Sequence, residues 1–174
     1  MFTERGYARA TIREIARRAG VTHGLVMRHF GTKEQLLIQA LPGPRVLAGV
    51  MPGDLATLPE RVAEAFVAET ESAGEGHALV ALLRSAASGE KVAMPLYAAM
   101  ESEIIAVFRD VLGPGAEIYA YLLSSLLIGV TFGRHVARTG MLADLTQEEL
   151  TGYLVPAIRD LLAPAITAAA AGQG

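Results

Sequence analysis

The 174-residue chain has no cysteine and no tryptophan, and only 6% of its residues are aromatic. Without cysteine there is no disulfide framework, no thiolate zinc site and no cysteine nucleophile, and nothing in the composition asks for an oxidising compartment. Charge is also scarce, at 19% of residues against 52% hydrophobic. That balance excludes a disordered chain and points to a folded body with apolar surface to spare for self-association. The alternation expected of β-strands is missing, as is any repeat of fixed period. A membrane-length run is missing too: the longest near-continuous apolar stretch, Ile118 to Gly133, has 16 residues, includes two serines and a threonine, and stops at Arg134 and His135. A span needs about 20 residues, so the stretch reads as a buried helix. With no signal-peptide pattern in "MFTERGYARAT", the expected compartment is the cytoplasm.

Catalytic patterns are equally thin. The four histidines, His23, His29, His77 and His135, form no metal-binding pair at helical spacing, and none belongs to a nucleophile motif. No strand precedes a glycine-rich loop that could cradle phosphate. The expectation is a protein that is not an enzyme and takes neither metal nor cofactor.

What is present is an uneven distribution of charge. Residues 1–40 hold seven basic side chains against three acidic ones, whereas the remainder holds 8 against 15. A cationic head on an acidic body points to a polyanionic partner for the head alone. Within the head, Ile12, Ile15, Ala16 and Ala19 recur at i, i+3, i+4 and i+7 and line one face of a helix, leaving Arg13, Arg17 and Arg18 outside. Thr11 with Glu14 is a capping-box pattern that starts this helix, and Gly20 stops it. Thr22 caps a short second helix, about His23 to Phe30, with Val26 and Phe30 inward and His23, Met27 and Arg28 outward. Thr32 and Gln35 open a third helix, whose Leu36 and Leu37 close a small core. Helices joined by so short a turn are a helix-turn-helix, a shape that places a short second helix in the major groove of DNA. Gly24 in that helix allows either a close approach of backbone to a phosphate or base, or clearance between helices.

Beyond Leu41 the proline-rich and glycine-rich "LPGPRVLAGVMPGDLATLP" cannot be one helix and marks a junction. It divides the chain into residues 1–41, a DNA-binding head, and residues 42–174, a helical regulatory and dimerisation domain. A short helix about Arg45 to Val50 is expected there. Longer helices follow over about Leu58 to Ser72, His77 to Ala87, Glu90 to Leu112, Ala116 to Thr139 and Thr146 to Ala169, which makes the fold all-α. Tyr121, Ser125, Gly129, Gly133 and Ala137 form a four-residue ridge of mostly small side chains that lets two helices approach closely. Leu150, Leu154, Ile158, Leu161 and Leu162 make an apolar stripe on the last helix, so two helices from each of two chains could build a homodimer interface. Phe66, Met100, Ile104 and Phe132, with the polar ends of Tyr97, Tyr119 and His135 among them, are the candidate lining of a small-molecule pocket.

The segment "FTERGYARATIREIARRAGVTHGLVMRHFGTKEQLL", Phe2 to Leu37, resembles the DNA-binding segment of TetR-type transcriptional regulators. The resemblance lies in a Phe and Gly-Tyr closing a first helix, a Thr opening the second, "IA..AGV" at the turn and "F..K..L" entering the fourth. It implies a homodimer that represses transcription and leaves its operator when a small effector enters the C-terminal domain, with most of a first helix lying ahead of Phe2. By position, Thr11 would hold a phosphate and Thr22 would cap the recognition helix. His23, Gly24, Leu25, Met27, Arg28 and His29 would lie at or near double-stranded DNA, with Lys33 on its backbone. Leu25 and Met27 depart from the hydroxyl or small residue and the tyrosine usual there, which favours apolar contact, such as with a thymine methyl. The rival reading is a dimeric helical interaction or small-molecule-binding protein that binds no operator.

Overall fold

In a computed structural model the chain is described over residues 10–73, 78–91 and 93–172, and among these residues it is helical with no strand. The head contains α1 (Ile12–Arg18), α2 (His23–Phe30) and α3 (Lys33–Ala40). The body contains α4 (Pro42–Val50), a 3-10 turn (Leu55–Thr57), α5 (Leu58–Ala73), α6 (Ala78–Ala87), α7 (Ala93–Leu112), α8 (Glu117–Thr131), a π turn (Phe132–Ala137), α9 (Met141–Asp144) and α10 (Gln147–Gly172).

Two apolar clusters organise these elements. A small one joins Ala16 of α1, Val26 of α2 and Leu36 of α3, with Ile12, Ile15 and Phe30 packed against it. The large one runs through the body and also takes Leu37 and Leu41. The expected pairing of Leu36 and Leu37 in one core is therefore corrected. Adjacent helical positions point about 100° apart, so α3 gives one leucine to each core and locks head to body.

Leu41 is both the C-cap of α3 and the N-cap of α4. The helix expected from Arg45 begins instead at Pro42. Both prolines fall in its first turn, where no amide is needed by the helix ladder. On the other side of the body α7 begins at Ala93 rather than at Glu90, whose amide closes the preceding turn on the Ser85 carbonyl at 3.0 Å.

Along α10, Leu150, Leu154, Ile158, Leu162 and Ala165 form the inward row, packed chiefly on α5, and Ile158 is completely buried. This corrects the assignment of Leu154 and Ile158 to a dimer seam: a helix has one best apolar face, and α10 gives it to its own chain. Leu161 is half-buried at the edge of that face. The outward side of α10 carries Tyr153, Pro156, Ala157 and Pro164, all exposed, and the helix continues through both prolines.

The segment read as a buried helix is also corrected. Glu117–Ala137 and Gln147–Gly172 are each long and apolar enough to cross a membrane by length and composition, and only 28% of the most apolar stretch in each is buried within the chain. On α8, Ala120, Leu123, Ser124 and Val130 face inward, while Ile118, Tyr121, Leu122, Ser125 and Gly129 face out. The helix expected to run on to Thr139 changes at Phe132 to a π turn, closed by the Arg138 amide on the Gly133 carbonyl at 3.0 Å with Arg138 left-handed at φ 53°.

Candidate functional site

The head is built around its caps. Thr11 Oγ1 accepts from the Glu14 amide at 3.3 Å, and Thr22 Oγ1 accepts from the Leu25 amide at 3.2 Å. Thr32 and Gln35 complete a reciprocal capping box at 3.1 Å in both directions. The Glu14 carboxylate is drawn to Arg17, which donates at 2.6 and 3.0 Å, with Arg18 at 3.6 Å. Gly20, with φ +69°, supplies the left-handed turn between α1 and α2 that a side chain would strain.

Among the residues of α2 only Val26 is buried, at 5% exposure. His23, Gly24, Leu25, Met27, Arg28 and His29 are all exposed, and Leu25 stands out at 52%. Among the described residues a side chain built on Gly24 would meet nothing within 4 Å, so clearance from those helices does not account for it. These six residues are thus open to solvent, with the helix N-terminus at one end and Arg28 toward the other. His29 also meets Phe30 edge to face, with ring centres 4.7 Å apart. Lys33 is half-buried at the start of α3. Burial holds its ammonium below the usual lysine range, opposed by Glu34 and by Glu90 of the loop before α7.

The body holds a cavity of about 70 Å³ walled by α4, α5, α6 and α8. Of the predicted lining only Phe66 reaches it, beside Gly43, Val50, Glu69, Thr70 and Leu127. Six positions are corrected. Met100 and Ile104 are buried in α7 behind α4, where Ile104 Cδ1 and Met100 Sδ lie 3.7 and 3.9 Å from the place of a Gly43 Cβ. The Tyr97 hydroxyl donates to Glu101 Oε1 at 3.1 Å, and burial, with Glu101 and Tyr121 adding to it, pushes its pKa up to about 12. Tyr119 packs half-buried on the large core, and Phe132 is exposed.

His135 belongs to a polar cluster that the sequence does not announce. Glu71 of α5 receives Arg134 Nε at 2.6 Å and lies 3.5 Å from His135 Nε2. Arg84 of α6 donates to the His135 carbonyl at 3.1 Å, and Arg134 donates to the Leu142 carbonyl at 2.7 Å. Only the density of polar residues around Arg134 hints at this, because Glu71 is 63 residues away. Burial is the main cause that holds the His135 imidazole below its ordinary value; Glu71 opposes it, while Arg134, Arg138 and Arg84 add to it. In the unfolded chain the ring charges near pH 6.5, so the folded protein binds fewer protons and loses stability as pH falls through that value. Thermal unfolding should therefore drop between about pH 7 and pH 5, and His135→Gln should flatten this step while leaving the carboxylate-driven loss at lower pH. His77 and the segment ahead of Ala10, including Phe2, Gly6 and Tyr7, lie outside the described residues.

Residues 56–162 match the family model described as the tetracyclin repressor-like C-terminal domain, and residues 1–40 match that of the bacterial regulatory proteins of the tetR family. The chain belongs to the TetR family. An HTH-type transcriptional repressor of Mycobacterium tuberculosis strain H37Rv, Rv3405c, is 62% identical over 37 residues, covering 21% of this chain. The HTH-type transcriptional regulator Mb3439c of Mycobacterium bovis matches to the same extent. These matches span 20% of either relative's length. A solved TetR-family regulator from Streptomyces coelicolor A3 superposes with a TM-score of 0.57 at 24% identity, covering 93% of this chain and 88% of that one. At that identity the superposition speaks for a TetR fold throughout head and body.

Proposed function

We propose that the protein is a cytoplasmic, homodimeric, non-catalytic DNA-binding transcriptional regulator of the repressor type, released from its operator by a small molecule. The observation that carries this reading is the face of α2. A leucine at 52% exposure beside an unobstructed glycine is poor design for a surface that meets only water, and apt for one that meets base edges. His23, Gly24, Leu25, Met27, Arg28 and His29 would read the major groove. Thr11 and Lys33 would hold phosphates, which fix register without reading sequence.

Release follows from where the cavity lies. Its α4 wall continues through Leu41 into α3, so an effector that parts α4 from α5 turns the head. Two heads so displaced no longer match successive major grooves, and the effector favours that state by its differential affinity alone. The dimer would form through the outward faces of α8 and α10, which keeps their apolar surface from water. The division of the chain into a head over 1–41 and a body over 42–174 is the simplest assignment, with Leu37 and Leu41 as the seam.

Selection of bound sequences from random DNA, followed by anisotropy on the selected site, tests the proposal. A two-fold repeated site bound in a salt-dependent way supports it, and absence of any sequence preference refutes it. On the same site Lys33→Ala should weaken binding to all sequences and lower the salt slope by about 0.9 for each phosphate that is no longer neutralised. An unchanged slope removes Lys33 from the interface.

A further inference from the structure

We propose that the cavity between α4 and α5 takes a protonated amine carried on a small apolar body. This rests on the reading of the protein as effector-responsive and adds the chemical class of the effector.

Among the side chains that wall the cavity, only Glu69 and Thr70 are polar. Thr70 is 3% exposed, and its hydroxyl donates to the Phe66 carbonyl at 2.7 Å with the Val67 carbonyl at 3.2 Å, so its hydrogen is committed and its oxygen can only accept. An ionised glutamate has no donor to offer. Glu69 forms no ion pair among the described residues, although Glu14, Glu60, Glu71 and Glu117 all have arginine partners. The walls therefore combine one carboxylate residue with one hydroxyl whose hydrogen is already committed, and hold no cationic side chain. A carboxylate or phosphate would meet like charge and acceptors facing acceptors. An ammonium group supplies N–H donors and the missing positive charge, and the Phe66 ring, one turn from Glu69 and Thr70, is placed to attract it further.

Size adds the second half of the inference. The cavity, about 70 Å³, is about half of the roughly 150 Å³ that admits a benzene ring. Gly43 and Val50 place the opposite ends of α4 on its wall. A ligand body larger than this space is accommodated by movement of α4 off α5, which couples occupancy to displacement of the head.

Calorimetry on the full chain at neutral pH with three probes of one shape, phenethylammonium, 2-phenylethanol and phenylacetate, tests this. Phenethylammonium should bind most tightly, 2-phenylethanol about tenfold or more weakly, and phenylacetate not at all. Glu69→Gln should lose that preference for the cation, with its ligand-free unfolding temperature as the check that it is folded. Thr70→Val, which keeps the side-chain shape, should show a smaller loss in the same direction. Phenylacetate binding as tightly as the amine, an undiminished preference in folded Glu69→Gln, or no binding of any probe at millimolar concentration overturns the proposal. The measurement needs no DNA. A failure here leaves the DNA-binding reading intact, and a failure of the sequence selection leaves the amine site intact.

Discussion

Gly129→Glu is expected to leave each chain folded, convert the protein to a monomer and lower its affinity for a two-half-site operator by about 10²–10⁴-fold. Gly129 lies on the outward face of α8 near its C-terminal end, exposed, and a side chain there meets nothing within 4 Å among the described residues. The substitution therefore adds no clash to the single fold and exchanges a glycine for a better helix former. In the proposed dimer its damage would fall on close approach of a second copy, because the exposed Ser125 and Gly129 leave that face of α8 low and a carboxylate buried between two apolar faces has no partner. On the proposed reading each head alone would cover a few base pairs, so most of the operator affinity would rest on holding two heads together. Light scattering behind gel filtration gives the mass, and anisotropy on the selected site gives the affinity. A variant that remains dimeric places the interface elsewhere.

Ile158→Asp is expected to unfold the body, at a cost of about 4–5 kcal/mol or more, whereas Ala157→Asp one position earlier is expected to leave it folded. Ile158 is completely buried where α10 packs on α5, and Ala157, about 100° round the helix, is exposed. A carboxylate at 158 cannot reach water without opening the packing that holds Leu154 and Leu162, and the total stability of such a domain is about 5–15 kcal/mol. Circular dichroism against temperature separates the two. If Ile158 instead belonged to a seam between chains, Ile158→Asp would give a folded monomer.

That contrast also marks where the sequence stops being legible. The head could be read nearly residue by residue, because its signals are local: Thr11, Thr22 and Thr32 cap helices within three positions of themselves, and Gly20 sits where the backbone must turn left-handed. The body could be read as helices and no further. A stripe such as Leu150, Leu154, Ile158 and Leu162 states that a face is buried and not against what. The pocket lining was misread for a related reason. Aromatic and sulfur side chains at helical spacing mark core as readily as cavity, and Met100 and Ile104 proved to be core. Thr70 and Glu69, which do line the cavity, carry no mark of it in a one-dimensional pattern. Nor could periodicity foresee the π turn at Phe132, since the apolar spacing of α8 runs into it without a break, and the partner of its Arg134 and His135, Glu71, is far away in the chain.

The one-residue joint at Leu41 restricts how such a protein can be rebuilt. A module on a loose tether can be exchanged for a homologous one at any point in the tether, but here no slack exists between α3 and α4. Because Leu41 is extended between the two helix ends, any residue inserted there would change both the distance and the angle between reader and sensor. Chimaeras that keep the phase at this joint should inherit regulation from the body and sequence choice from the head. Those cut a residue too long or too short should still recognise DNA and ignore the signal.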